Sequence, residues 1–247
     1  MSGDYRQSHT RQGYGRSYDE EFRRNPHRAV VWDLEKRALD AIVRDRLAGR
    51  EIRLLDFACG SGRIMAHLRD RVARVVGVDV SPSMLEIARE RVPGVEIVEA
   101  DLTRDDVLGD ATFDLITAFR FFPNAQPDLR RDAMAALVRH LDRDGLLVFN
   151  NHENASSLLY RLSRLSGRGG RRGMARAEVD DLVATAGLEI VGTRAIALLP
   201  LTERHPILPR PLLRAVEGAA SRCALFKGLY QDLVFTCAHA APAATRD

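Results

Sequence analysis

Residues Ile52 to Gly62 read Ile-Arg-Leu-Leu-Asp-Phe-Ala-Cys-Gly-Ser-Gly, and they constrain the chain more than any other stretch. A short apolar run leads into Asp56 and then into small residues that open a helix from Arg63. An apolar run bounded by glycines is the pattern of a buried central strand in a parallel sheet. Gly60 and Gly62 allow a sharp turn and a close backbone approach to a ligand, where a Cβ would collide. The unit is a ligand-binding strand, loop and helix. Its spacing differs from the Gly-x-Gly-x-x-Gly of nicotinamide enzymes, because Met65 stands where the third glycine belongs.

The chain around it alternates strands and helices. Ala29 to Ala48 carries a helical apolar stripe, closed by Gly49, and is expected to pack on the sheet rather than carry chemistry. A helix from Arg63 to about Arg71 precedes a second strand, Arg74 to Asp79, which ends in an acid 23 residues after Asp56. In nucleotide-binding α/β units an acid at this distance accepts hydrogen bonds from ribose hydroxyls. Ser81 is the expected N-cap of the next helix and Pro82 its first residue. Val95 to Asp101 is a third strand that stops at an acid, and Asp110 to Arg120 contains a fourth. A helix over Gln126 to Leu141, a turn at Asp144-Gly145 and a fifth strand, Leu146 to Asn150, follow. Further on come helices over Leu158 to Leu165, Ala177 to Ala186 and Leu212 to Ala224, and strands over Leu188 to Leu199 and Leu233 to Ala238. This alternation predicts a doubly wound α/β sheet with right-handed crossovers. Ligands bind such sheets beyond the carboxyl ends of the strands, where Asp56, Asp79, Asp101, Phe119 and the run 150–154 all fall.

Asp56-Phe-Ala-Cys-Gly-Ser-Gly resembles the first motif of class I S-adenosylmethionine-dependent methyltransferases, Asp-x-Gly-x-Gly-x-Gly, with Ala58 in the first glycine slot. Asp79 to Ala88, Asp-Val-Ser-Pro-Ser-Met-Leu-Glu-Ile-Ala, resembles the second, Asp-x-Ser-x-x-Met-Leu-x-x-Ala. The resemblance covers residues 52 to 150 and extends to 240 through the order of elements. It implies a seven-stranded sheet, mostly parallel with the last strand antiparallel, with helices on both faces. It also implies S-adenosylmethionine as cofactor and S-adenosylhomocysteine as product. The cofactor residues it implies are Asp56, Ala58, Cys59, Gly60, Gly62, Asp79, Val80, Met84, Asp101, Leu102 and Phe119. Met84 would lie against the adenine, Asp101 would accept from its amino group, and the Leu102 N–H would meet a ring nitrogen. Tyr18-Asp19 looks like the segment that folds over the cofactor in small-molecule members. Nucleic-acid amino-methyltransferases of this class carry an Asn/Asp-Pro-Pro-Tyr/Phe motif after the fourth strand. Phe119-Arg-Phe-Phe-Pro-Asn124 replaces it here, which disfavours a nucleic-acid acceptor.

The acceptor side is less defined. His152, just past the fifth strand, is the expected general base and His205 the second choice; Tyr18, Arg120, Asn124, Asn151, Arg171 and Arg172 are the expected acceptor contacts. The favoured function is methylation of a small-molecule acceptor, a natural-product, lipid or saccharide intermediate, at oxygen rather than nitrogen. The alternatives are an RNA or protein methyltransferase that uses the Arg/Gly-rich insertion at 156–173, and a cofactor-binding regulatory domain without catalysis. Residues 1–28 are expected to be a mobile segment or cofactor lid, 29–240 the methyltransferase domain, and 241–247 a tail. The net charge of +3 is carried almost wholly by arginine, since Lys36 and Lys227 are the only lysines. These arginines occur throughout the chain, so basicity alone marks no nucleic-acid surface. No apolar run reaches the roughly 20 residues of a membrane span. Three scattered cysteines, at 59, 223 and 237, make neither a disulfide framework nor a metal site, which points to a reducing cytoplasm.

Overall fold

The computed structural model describes residues 5, 14–165, 173–198, 209–220 and 229–241. Seven strands form one sheet in the order β3-β2-β1-β4-β5-β7-β6. They are β1 (Arg53–Phe57), β2 (Arg74–Asp79), β3 (Glu96–Glu99), β4 (Phe113–Ala118), β5 (Leu141–Asn151), β6 (Leu188–Ala197) and β7 (Asp232–His239). The first five pair in parallel, and β7 inserts antiparallel between β5 and β6. The expected seven-stranded sheet with an antiparallel last strand is the observed one.

Side chains alternate across the sheet with the strand period of two. Leu55 and Phe57, Ile116 and Ala118, Leu147 and Phe149 face one apolar layer. Leu54, Leu115, Leu146 and Val148 face the other. The first layer is closed by α5 (Pro127–Arg139) and α7 (Arg176–Thr185), and the second by α2 (Pro26–Arg46), α3 (Arg63–Leu68), α4 (Pro82–Arg91) and α8 (Arg210–Ala220). On the first face Phe57, Phe121, Phe122, Phe149 and Phe235 touch in series, with centroids 4.8, 5.4, 4.9 and 5.4 Å apart. Such ring pairs contribute roughly 0.5–1.5 kcal/mol each beyond the area they bury. No described helix is long and apolar enough to cross a membrane.

Several boundaries depart from the sequence expectation. Residues 14–24, which show no aliphatic stripe, form a helix, α1 (Tyr14–Arg24), packed on α4, and α2 starts at Pro26, a residue suited to a first helical turn. A chain segment without aliphatic residues is held there by other means. Phe22 is buried, and Gly15 lies so close to α4 that a Cβ would meet the Ser83 carbonyl oxygen at 2.2 Å. Asn25 caps α2 by accepting from the His27 and Arg28 N–H groups at 3.0 and 3.1 Å. Ser81 sits at the N-cap of α4, but its side chain makes no cap bond. Asp144-Gly145 is not a turn between elements. Both lie inside β5, which bulges outward so that Phe113 pairs with Leu141 while Leu115 pairs with Leu146. The helix Leu158–Leu165 (α6) is where the sequence puts it. The glycine-rich part of the 156–173 insertion, with Arg171 and Arg172, lies outside the described residues, as do His205, Cys223 and 242–247.

The amino edge of the parallel strands is tied by one carboxylate. Asp114 Oδ1 accepts from Arg50 Nη2 at 2.6 Å, and Oδ2 accepts from the backbone and Nε of Arg53 at 3.0 and 2.8 Å. Arg53 continues to Asp142 Oδ2 at 2.9 Å, on the β5 bulge. Burial pushes the Asp114 carboxyl up, but the Arg53 hydrogen bonds and the Arg50 charge prevail and hold it below the usual carboxylate range. Its stabilising contribution is therefore present at neutral pH and is lost as pH falls from about 3.9 through the lowered folded value. Replacing Asp114 by alanine should cost about 1.5–3 kcal/mol at pH 7, read by urea denaturation. The difference between mutant and wild type should shrink in acid, and an equal difference at both pH values would show that the carboxylate charge is not what ties the strands.

Candidate functional site

The loop between β1 and α3 turns through left-handed backbone at Ala58 (φ 53°), Gly60 (φ 52°) and Gly62 (φ 75°). Ala58 thus holds a conformation that costs an ordinary residue about 1–2 kcal/mol, which is why glycine is the natural occupant. The loop is clasped to the end of β2. Cys59 N–H donates to the Val78 carbonyl at 3.1 Å, and Gly60 N–H donates to Asp79 Oδ2 at 2.8 Å. Asp79 Oδ1 accepts from the Ser81 N–H at 2.9 Å, so this carboxylate joins the glycine loop to the start of α4. Burial raises the Asp79 carboxyl, opposed by these N–H bonds. Asp56 is deeper, 1% exposed, with Oδ1 accepting from Thr117 Oγ1 at 2.8 Å and Oδ2 buried without a hydrogen bond. Burial lifts it to about 7, with the Thr117 bond acting the other way. Cys59 is buried and its thiol is pushed well above the usual range by burial, so it packs rather than attacks.

One pocket opens over this loop at the carboxyl ends of the strands. Asp56, Ala58, Cys59, Gly60, Asp79, Val80, Met84, Asp101, Leu102 and Phe119 all line it, while Gly62 stands behind the loop at the start of α3. Asp101 Oδ1 accepts from the N–H and hydroxyl of Thr103 at 3.0 and 2.6 Å, which fixes its carboxylate at the rim. Tyr18 and Arg120 line the pocket from the other side. Asn124, Asn151 and His152 do not. Asn124 Nδ2 donates to the Arg120 carbonyl at 2.6 Å, and Asn151, 1% exposed, donates to the Met174 carbonyl at 2.9 Å. His152 is half-buried past the end of β5. Position in the chain put it beside the site, but the strand end carries Asn150 toward the pocket wall in its place.

The inner wall is made by residues the sequence did not single out. Trp32 and Glu35 reach it from α2, and Arg63 from the first turn of α3. Glu35 is 2% exposed, and its Oε1 accepts from Asn150 Nδ2 at 3.0 Å. Asn150 Oδ1 accepts in turn from the Arg120 N–H at 2.6 Å, at a residue with φ 60°. The Arg63 guanidinium lies 3.3 Å from the centre of the Phe22 ring, with that of Arg120 at 5.4 Å. Burial lowers Arg63 to about 10. A signal for Glu35 did exist. It stands among Val31, Leu34 and Ala38, an acid within the apolar stripe of α2, one helical turn from the chain's only tryptophan.

The first helix is latched over the loop. Asp19, 5% exposed, accepts from Arg91 Nη2 at 2.7 Å and from Ser61 Oγ at 3.2 Å, and Arg91 also donates to the Ser61 carbonyl. α1 therefore grips both the glycine loop and α4. Asp19→Ala removes the carboxylate partner of Arg91, leaving it only its Ser61 bonds, and should cost about 1.5–3 kcal/mol in denaturant unfolding. Amide exchange should accelerate first in Tyr14–Arg24, and uniform acceleration across the sheet would show that the latch is not local.

Residues 54–145 match the methyltransferase domain family. The chain is 38% identical over 120 residues to dTDP-4-amino-2,3,4,6-tetradeoxy-D-glucose N,N-dimethyltransferase from Saccharopolyspora spinosa, covering 47% of each chain. It is 32% identical over 169 residues to trans-aconitate 2-methyltransferase from Azoarcus sp., covering 66% of this chain and 58% of that one. The chain thus spans about half the length of the curated relatives it matches. Its fold superposes on magnesium protoporphyrin IX methyltransferase from Synechocystis PCC 6803, crystallised with S-adenosylhomocysteine, at a TM-score of 0.61 and 14% identity over 92% of this chain and 96% of that one. The clasped glycine loop, the acids that end β2 and follow β3, and the sheet order agree with that match: residues 54–145 match the methyltransferase domain family, and the chain takes the fold of the solved methyltransferase on which it superposes.

Proposed function

We propose that the protein binds S-adenosylmethionine and transfers its methyl group to a hydroxyl of a small-molecule acceptor. The observation that carries this is one pocket with two unlike walls. Gly60, Asp79, Met84 and Asp101 are the lining residues suited to an adenosine, and Trp32, Glu35, Arg63 and Arg120 add a second, largely charged set to the same lining. The residues fit the cofactor. The left-handed turn at Gly60 opens space beside backbone N–H groups, and Asp79 and Asp101 present carboxylate oxygens at the rim. When bound, the cofactor supplies a sulfonium-activated methyl group. Transfer from it is an in-line displacement, for which the chain's contribution is chiefly to position the acceptor and exclude water.

We favour oxygen over nitrogen because Arg63 and Arg120 line the pocket, and two guanidiniums suit an anionic, hydroxyl-bearing acceptor. N-methylation is the second reading, favoured by the similarity to an amino-sugar N,N-dimethyltransferase. A small acceptor suits a pocket walled by α1 and α2 better than an RNA or protein does. Turnover of methyl-labelled cofactor with an extract of the native cells, separated into small-molecule, RNA and protein fractions, should place the label in the first. Label in either macromolecular fraction would overturn the acceptor class, and cofactor binding without turnover would leave a regulatory domain.

The cofactor wall has its own test. Asp79→Ala removes a charged hydrogen-bond acceptor, which should weaken S-adenosylhomocysteine binding by about 1.5–3 kcal/mol, roughly 10- to 150-fold. The single tryptophan, Trp32, lines the pocket, so its emission reads the titration directly. Undiminished affinity in a folded mutant would sink the assignment of this wall.

A further inference from the structure

We propose that Glu35 is the proton acceptor of the site, with Asn150 as the residue that positions it; this rests on the methyl-transfer reading above. Glu35 is 2% exposed yet lines the pocket, and its one hydrogen bond, from Asn150 Nδ2 at 3.0 Å, occupies Oε1 alone. Among the described residues nothing donates to Oε2. A buried carboxylate with one oxygen fixed and the other without a donor is arranged to receive a proton from something that enters the pocket.

The support behind it is rigid. Asn150 is fully buried in β5, and its Oδ1 is held by the Arg120 N–H at 2.6 Å. That contact orients the amide so that Nδ2 points at Glu35, and it uses the left-handed backbone of Arg120. Trp32, three residues earlier on α2, offers a flat apolar face beside the carboxylate.

The step balances as follows. A lone pair on the acceptor oxygen forms the new C–O bond, the C–S bond breaks with its electrons passing to sulfur, and the acceptor O–H proton moves to Glu35 Oε2. The products are the methyl ether or ester, neutral S-adenosylhomocysteine and a protonated Glu35 that returns its proton to solvent.

The groups facing Glu35 set its working range. Burial raises its carboxyl, while Arg120 from the β4 loop, Arg63 from α3 and the Asn150 hydrogen bond oppose the rise. Asp232 on β7 interacts with Glu35 and is itself raised well above the usual range, chiefly by burial. Glu217 on α8 acts on Asp232, and Tyr18 on Arg63. A base acts only when ionised, so the rate should rise with pH through a limb above the ordinary carboxylate range.

The test measures S-adenosylhomocysteine formed by the full chain with the small-molecule fraction of the native extract, so no acceptor need be known. Glu35→Gln keeps an acceptor for Asn150 and should lower turnover about 10²- to 10⁴-fold, with S-adenosylhomocysteine affinity retained. Its residual rate should lack the acidic limb. Glu35→Asp withdraws the carboxylate by one methylene and should retain the limb at an intermediate rate. Asn150→Ala should lower the rate and shift the limb, because the carboxylate loses its orienting donor. Turnover of Glu35→Gln within a few-fold of wild type, with the limb intact, would overturn the proposal and leave methyl transfer standing. Wild type that binds S-adenosylhomocysteine yet turns over no fraction would remove the methyl-transfer reading and the base with it.

Discussion

The hydrogen bond from the Gly60 N–H to Asp79 Oδ2 is the constraint on which the site depends. It joins the loop after β1 to the end of β2 across the parallel pair. Because Asp79 also receives the Ser81 N–H, one carboxylate sets the mouth of β2, the start of α4 and the left-handed turn after β1 at once. The Cys59 to Val78 backbone bond supports the same clasp. Two neighbouring strands and two helix starts are thereby fixed relative to one another at the carboxyl end of the parallel strands. At the opposite end Asp114 does comparable work on Arg50 and Arg53.

Much of this was legible in the chain because parallel strands announce themselves. β1, β2 and β4 are buried on both faces and read as apolar runs, and each acid that ends a strand marks the carboxyl edge. Asp56, Asp79 and Asp101 lie at or just past those edges and line the pocket, where their positions in the chain place them. The pocket residues contributed by α2 were harder to see for a physical reason. Glu35 and Trp32 come from a helix whose apolar stripe dominates its pattern, and a helix face says nothing about which strand end it will cover. His152 is absent from the pocket lining among the described residues, whereas Asn150, two residues earlier in β5, reaches Glu35 through its side-chain amide. α1 was missed because its stabilisation is polar, through Asp19, Arg91 and Ser61, which a hydrophobic periodicity does not register.

The inner wall also shows how ionisable groups coexist out of water. Glu35 and Asp232 are nearly inaccessible, and both are raised by burial. Arg63 is lowered by the same cause. Burial thus displaces these acids and the arginine toward each other. The aromatic face of Phe22 compensates part of the desolvation of Arg63 without adding a counter-charge.

The helices α1 and α2 precede residue 54, outside the segment that matches the methyltransferase domain family. Tyr18, Trp32 and Glu35 all lie on them, whereas Gly60, Asp79, Met84 and Asp101 all lie within the matched segment. The pocket is therefore built from two separate lengths of chain, one of them inside the matched segment. Changes along the first two helices can reshape what the pocket accepts while leaving the clasp at Gly60 and Asp79 untouched.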